Sequence, residues 1–358
     1  MTANRANNPD LYERIAGLPL AAEGHRLEIL RREVSSRFTR VTTVVTLCGE
    51  GQEGVGEDVT YDAGTHEAVR AERAAWDLTG RTTIHHFSVL LERLLPVDEV
   101  PYPRWAFEGA ALDLALRQAG LTLPVVFRRP FHPVRFVLST RLESPPSVRQ
   151  LRDWLAVQPG LEFKLDPRSA WGPEFFLALT AMGRVRVLDL KGAYEGTPVD
   201  QPFDPDLYRR VREAALAAPD GPVYIEDPAP TPGAWTVLAG AEDRVSWDAP
   251  IHSADDIRRL PFPPGAVNIK PSRFGSWRRL LEAIRYCREA GIHLYGGGQF
   301  ELGPGRDQIQ ALASLFYADS ANDVAPRVYH SGGPRPGLPP SPLCPAVPAL
   351  AGFRFRET

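Results

Sequence analysis

Lysine is almost absent from this chain: of 41 basic residues only Lys164, Lys191 and Lys270 are lysines, and the other 38 are arginines. Where arginine supplies nearly every solvated positive charge, a retained lysine points to work that arginine cannot do. A guanidinium is effectively never deprotonated, whereas a desolvated ammonium falls toward neutral pKa and acts as a base or a Schiff-base nucleophile. Lys164 and Lys270 each close a short apolar run, LEFKL and AVNIK, and between them Asp189, Glu226 and Asp248 close or nearly close VRVLDL, PVYIED and RVSWD. Three carboxylates at the ends of consecutive strands make an all-oxygen site suited to Mg²⁺ or Mn²⁺. The lysines on the flanking strands then stand on opposite sides of whatever the ion holds.

Such a site needs a parallel sheet to put the strand ends side by side. From about Val134 short apolar runs alternate with helical stretches, the pattern of βα units. Strands are expected at VRFVLS, LEFKL, VRVLDL, PVYIED, RVSWD, AVNIK, HLYGGG and NDVAP. Eight of them fit a (β/α)8-type barrel, whose active sites form at the C-terminal strand ends. An open doubly wound sheet lacks support, because no GxGxxG follows the first strand. The first third reads differently. Residues 26–57 form a strand meander around a Gly-rich segment, and THEAVRAERAAWDL, HHFSVLLERLL and WAFEGAALDLALRQAGLTLP carry helical periodicity. The expected organisation is an α+β capping domain over residues 1–130, the barrel over 131–330, and an irregular Pro/Gly-rich tail over 331–358 packing back toward the cap.

Composition narrows the classes. A net charge of −3 with no extended basic run leaves no electrostatic footprint for nucleic acid. The opening MTANRANNPDLYERIAG lacks an apolar leader core, and no stretch approaches the length of a membrane span, so a cytoplasmic location is expected. Cys48, Cys287 and Cys344 are odd in number and far apart, which suits inert thiols. His85 and His86 are adjacent and diverge on a helix, so they are read as structural. Gly49, Gly51, Gly54 and Gly56 are read as a mobile loop of the cap, without the GK[ST] of a phosphate loop.

The ordered run of Lys164, Asp189 in VLDLKGAY, Glu226 in VYIEDP, Asp248 in SWDAPIHSADDI and Lys270 in VNIKPSRFGSW resembles the enolase superfamily, in particular its muconate-lactonizing branch. AFEGAALDLALRQAGLTLP and LYGGGQFELGPGRDQIQALASLFY are similar to that branch as well, and the resemblance spans residues 26–330. It implies a barrel capped by an α+β domain and metal-assisted removal of the proton α to a carboxylate. Asp189, Glu226 and Asp248 would ligate Mg²⁺ or Mn²⁺, and Lys164 and Lys270 would be the acid/base pair. Glu301 and Asp323 fall in segments that contact substrate in the branch, and the Gly-rich cap loop would fold over that substrate. The mandelate racemase branch fits less well, since it would place an aspartate at Lys270 and a histidine after the seventh strand. The implied activities are racemisation or epimerisation, cycloisomerisation, and lyase chemistry like that of o-succinylbenzoate synthase. The partner is a small-molecule carboxylate, and a homo-oligomer is compatible with this reading. Asp-x-Asp, expected of a dipeptide epimerase near the eighth strand, is not supplied by DSANDVAP.

Three departures set this chain apart. Lys-x-Lys on the second strand becomes Glu162-Phe-Lys164, Asp-x-Asn on the third becomes Asp189-Leu-Lys191, and Asp189 and Glu226 are 37 positions apart, with YEGTPVDQPFDPD between them. Lys191 is the sharpest departure. An ammonium beside a divalent ion is repelled, so Lys191 is neutral and a third candidate base, or pairs with Glu226 or an acid of the long loop, or replaces the metal with its own charge. Coupling to the metal site is the favoured reading. The rivals are a metal-free or non-catalytic carboxylate-binding descendant of the fold and a Schiff-base barrel.

Overall fold

The structure, a computed structural model, describes residues 10–356 except 37, 198 and 331. Most of the opening segment read for a leader, and Ser331 at the start of the Pro/Gly-rich tail, lie outside the described residues. α1 (Glu13–Ala16) and β1 (Pro19–Ala22) lead into an antiparallel meander of β2 (Gly24–Ser35), β3 (Phe38–Gly49) and β4 (Gln52–Asp58). α2 (Ala63–Ala74) follows, capped by the Asp62 side chain accepting from Gly64 N at 2.9 Å. β5 (Gly80–Thr83) pairs back on β1, and α3 (Ile84–Leu94), α4 (Pro101–Gln118) and α5 (Leu123–Phe127) complete this part.

The glycine-rich segment expected as a mobile loop is instead a tight turn and the start of β4. A Cβ on Gly54 would lie 2.2 Å from Leu114 N, and one on Gly56 2.0 Å from the Ala106 carbonyl oxygen. These two glycines let the strand lie directly on the backbone of α4, so they serve packing.

The second part alternates β6 (Val137–Thr140), α6 (Arg149–Val157), β7 (Glu162–Leu165), α7 (Pro173–Met182), β8 (Val185–Asp189), α8 (Pro205–Leu216), β9 (Tyr224–Glu226), α9 (Pro232–Leu238), β10 (Val245–Trp247), α10 (Ala254–Arg258) and β11 (Ala266–Ile269). α11 (Pro271–Phe274), α12 (Trp277–Ala290), β12 (His293–Gly296) and α13 (Gly305–Phe316) finish it. Seven strands pair in parallel in chain order, from β6 to β12. Every residue of β7 to β11 is buried, because helices cover one face and the barrel interior the other.

The eighth strand expected at NDVAP is absent among the described residues. Single bridges, Phe136 with Asn322 and Gly297 with Asp323, join this segment to the two edges of the sheet. The Asn322 side chain does the rest, accepting from Gly296 N at 2.6 Å and donating to Arg135 O at 2.9 Å. The tail returns to the cap: Gly352 bridges to Thr122, and Phe353 packs against Trp105 and Trp277.

Candidate active site

Lys164 lies in β7, Asp189 and Glu226 end β8 and β9, and Asp248 and Lys270 directly follow β10 and β11. Asp189 and Glu226 are register partners, so strand pairing alone sets their carboxylates side by side. All five side chains are buried. Their contacts are ionic. The Lys164 ammonium donates to Glu226 Oε1 and lies 3.1 Å from Asp189 Oδ2 and 3.7 Å from Asp323 Oδ2. Lys270 donates to Asp248 Oδ2 at 2.8 Å. Asp323 therefore joins the cluster, whereas Glu301 turns to Arg306 at 2.9 Å and to the backbone N–H of Gln299.

Lys191 stands where the strand turns, with φ 55 in the left-handed region. It does not pair with Glu226. Its ammonium donates to Asp189 Oδ2 and lies 3.9 Å from Asp166 Oδ1. Burial lowers its pKa, but the charges of Asp189, Asp166 and Glu226 together outweigh burial and raise it, which favours the charged ammonium.

The sequence reading missed several groups. Arg273, one helical turn beyond Lys270, donates to Asp248 Oδ1 at 2.8 Å and to the Tyr194 hydroxyl at 3.1 Å. Tyr194 donates to Asp248 Oδ2 at 2.8 Å, and Tyr295 donates to Glu226 Oε2. Asp227 accepts from the backbone N–H groups of Asp248 and Ala249 at 2.8 and 2.9 Å, fixing the end of β10. The i to i+3 spacing of Lys270 and Arg273 was visible in the sequence. The two tyrosines carried no signal beyond their place near strand ends. Asn268 lies two residues before Lys270, buried, with neither side-chain polar atom partnered.

Protonation is uneven. Burial, with the charges of Arg273 and Lys164, lowers the Lys270 ammonium despite Asp248. Burial also opposes the Lys164 charge, but Asp189 and Glu226 overcome it and raise that ammonium well above its ordinary value. Burial, with help from Asp189 and Asp248, lifts the Glu226 carboxyl to about 8 against the pull of Lys164. Asp227 is pushed to about 7, first by burial and then by the Asp248 charge. Asp189 and Asp248 stay well below the usual carboxylate range because their lysine and arginine partners outweigh burial.

The donor set has the chemistry for a hard cation, and its oxygens are engaged within the protein. Every oxygen of Asp189, Glu226 and Asp248 accepts a hydrogen bond from the protein. Among the described residues, the acidic atoms that lie within 4.8 Å of one another belong to Asp189, Glu226 and Asp227, and Asp248 stands outside that group.

Known structures share this architecture. A mandelate racemase/muconate lactonizing protein from Herpetosiphon aurantiacus is 18% identical, with 94% of this chain and 99% of that one covered at a TM-score of 0.68. A dipeptide epimerase from Enterococcus faecalis V583 is 15% identical over 95% and 100% of the two chains, with a TM-score of 0.69. A dipeptide epimerase from Methylococcus capsulatus, complexed with a Mg ion, is 19% identical over 85% and 88%, with a TM-score of 0.61. At these identities the likeness establishes the fold, that of enolase-superfamily barrels. No curated protein matches the sequence. Family models described as the N-terminal and C-terminal domains of a domain of unknown function, DUF8230, match residues 13–126 and 130–331. The chain belongs to the DUF8230 family, built on the enolase-superfamily fold.

Proposed function

We propose that this protein is an enzyme that removes the proton α to the carboxylate of a small molecule, as a racemase or epimerase, a cycloisomerase or a lyase. The observation that carries the reading is the placement of Lys164 and Lys270. β7 and β11 are four places apart in the strand order, and with the bridging segment at Asn322 in the eighth place they stand on opposite walls of the barrel. A ligand held between them presents one face to each ammonium. The unpartnered Asn268 amide beside Lys270 offers it further hydrogen bonds.

Lys270, lowered by burial and by Arg273, is the better base. It takes the α-proton on its Nζ while the C–H electron pair moves into the carboxylate. Lys164 and Lys191 stay charged and face the negative charge that builds on the carboxylate oxygens. The Mg²⁺ reading draws support from the buried acidic cluster and from the Mg-bound epimerase neighbour, whereas the oxygens of Asp189, Glu226 and Asp248 all accept hydrogen bonds from the protein. No helix of the described residues is long and apolar enough to cross a membrane.

The test is exchange of the α-hydrogen with D₂O, followed by proton NMR over N-acylamino acids, dipeptides and other chiral carboxylates. The enantiomer whose α-hydrogen faces Lys270 should exchange faster. Lys270→Arg should abolish exchange while the circular dichroism spectrum is kept, because arginine retains the charge but accepts no proton. Wild-type exchange in Lys270→Arg would remove that lysine as the base. Saturable carboxylate binding without any exchange would mark a non-catalytic binder.

A further inference from the structure

Each oxygen a divalent ion would need is already spoken for, and the spending is organised. Asp189 accepts from the Lys191 backbone N–H at 3.1 Å through Oδ1 and from the Lys191 ammonium through Oδ2, which also lies 3.1 Å from Lys164. Glu226 is held by Lys164 and Tyr295. Asp248 is drawn aside by Lys270, Arg273 and Tyr194, and Asp227 spends both oxygens on backbone N–H groups.

Lys191 is fixed in this arrangement. Its ammonium lies 5.2 Å from the centre of the Tyr194 ring, a cation–π contact. Gly192 N donates to Asp227 O at 2.9 Å, and a Cβ at Gly192 would lie 2.4 Å from Ala229 N. The left-handed turn at Lys191 and the packed glycine behind it therefore return the side chain to Asp189.

We propose that the Lys191 ammonium is the resident cation of this site, standing in for a divalent metal, so that the protein binds no Mg²⁺ or Mn²⁺ there and meets its ligand's carboxylate with lysine nitrogens. The proposal rests on reading the site as one for carboxylates. A Mg²⁺ ion wants near-octahedral oxygen ligands at about 2.0–2.1 Å. Seating one would break the contacts of Asp189 and Glu226 while leaving an ammonium against the ion.

The experiment is a Mn²⁺ titration of the full chain near neutral pH, read by electron paramagnetic resonance, which needs no substrate and no turnover. Wild type should show no stoichiometric Mn²⁺ binding up to about 1 mM, and Lys191→Asn should bind at least about tenfold more tightly. Asp189→Asn added to that variant should remove the gained site. Lys191→Met, which also deletes the charge, serves as a second variant if the first fails to fold by circular dichroism. Wild type binding one Mn²⁺ below about 1 mM, with loss in Asp189→Asn, would overturn the proposal. So would lysine-deleted variants that bind no better than wild type. If α-hydrogen exchange is never seen, the proposed reaction fails, but the Mn²⁺ result still decides the nature of the resident cation.

Discussion

Gly297 shows how closely the residues around Lys270 are fitted. A Cβ there would stand 2.4 Å from Asn268 Oδ1 and 2.9 Å from Lys270 Cε, inside the distances real side chains tolerate. Gly297→Ala must therefore push the ammonium or the buried amide away from its place. Overpacking of this kind costs about 1–3 kcal/mol, so the fold survives. The expected outcome is a folded variant with α-hydrogen exchange reduced by about tenfold or more, since small displacements of a reacting group are costly. Exchange at the wild-type rate would show that Lys270 has room to spare.

At the scale of elements, two cap strands hold the loop that follows β12. Glu57 of β4 accepts from the backbone N–H groups of Leu302, Gly303 and Gly305 at 2.7, 2.9 and 2.9 Å. Arg40 of β3 is fully buried and donates to the carbonyls of Val59, Thr60, Gln299 and Phe300. Burial raises the Glu57 carboxyl, and the Glu301 charge adds to it, while the backbone donors oppose both. Glu57→Gln keeps the size but turns an amide N–H₂ toward at least one of these donors. An unsatisfied buried donor costs about 1–3 kcal/mol, so the unfolding free energy should fall by that amount, seen as a lower urea midpoint with the m-value unchanged. No change in midpoint would mean the loop is held by other contacts.

Over the whole molecule, the tail closes on both parts of the protein. Phe353 N donates to Asp113 of α4 at 2.8 Å, and Phe355 N and Arg356 N donate to Asp307 of α13 at 3.0 and 2.9 Å. Phe353 is fully buried against the indoles of Trp105 and Trp277, so Phe353→Ala should cost about 3–5 kcal/mol in chemical denaturation. Burial pushes the Asp307 carboxyl to about 6 against these donors, and Glu226 and Asp227 are raised in the same direction by burial. With folded pKa values above those of the unfolded chain, the native state holds protons that the unfolded state releases between about pH 4 and 8. This contribution is fully present below that window and is lost as pH rises through it. Thermal melts should show Asp307→Asn flattening the pH 4–6 part of the curve, and an unchanged slope there would remove Asp307 as its source.

The sequence by itself determined which residues end the strands. Apolar runs, the alternation of strand and helix, and the scarcity of lysine are local properties, and they placed Lys164, Asp189, Glu226, Asp248 and Lys270 at the barrel mouth. The chain order of the strands also became their order in the sheet, because parallel βα units add neighbours one at a time. Only the tertiary structure decided who pairs with whom. An ion pair depends on distances of an ångström across strands far apart in sequence. The withdrawal of Asp248 by Arg273 and Tyr194 and the reach of Tyr295 to Glu226 were therefore illegible beforehand. The same holds for Gly54 and Gly56, since composition marks flexibility while only packing shows a helix backbone lying against them. The eighth strand dissolved into two bridges and one asparagine side chain, because closing a barrel needs only the edge groups satisfied, and a side chain can satisfy them.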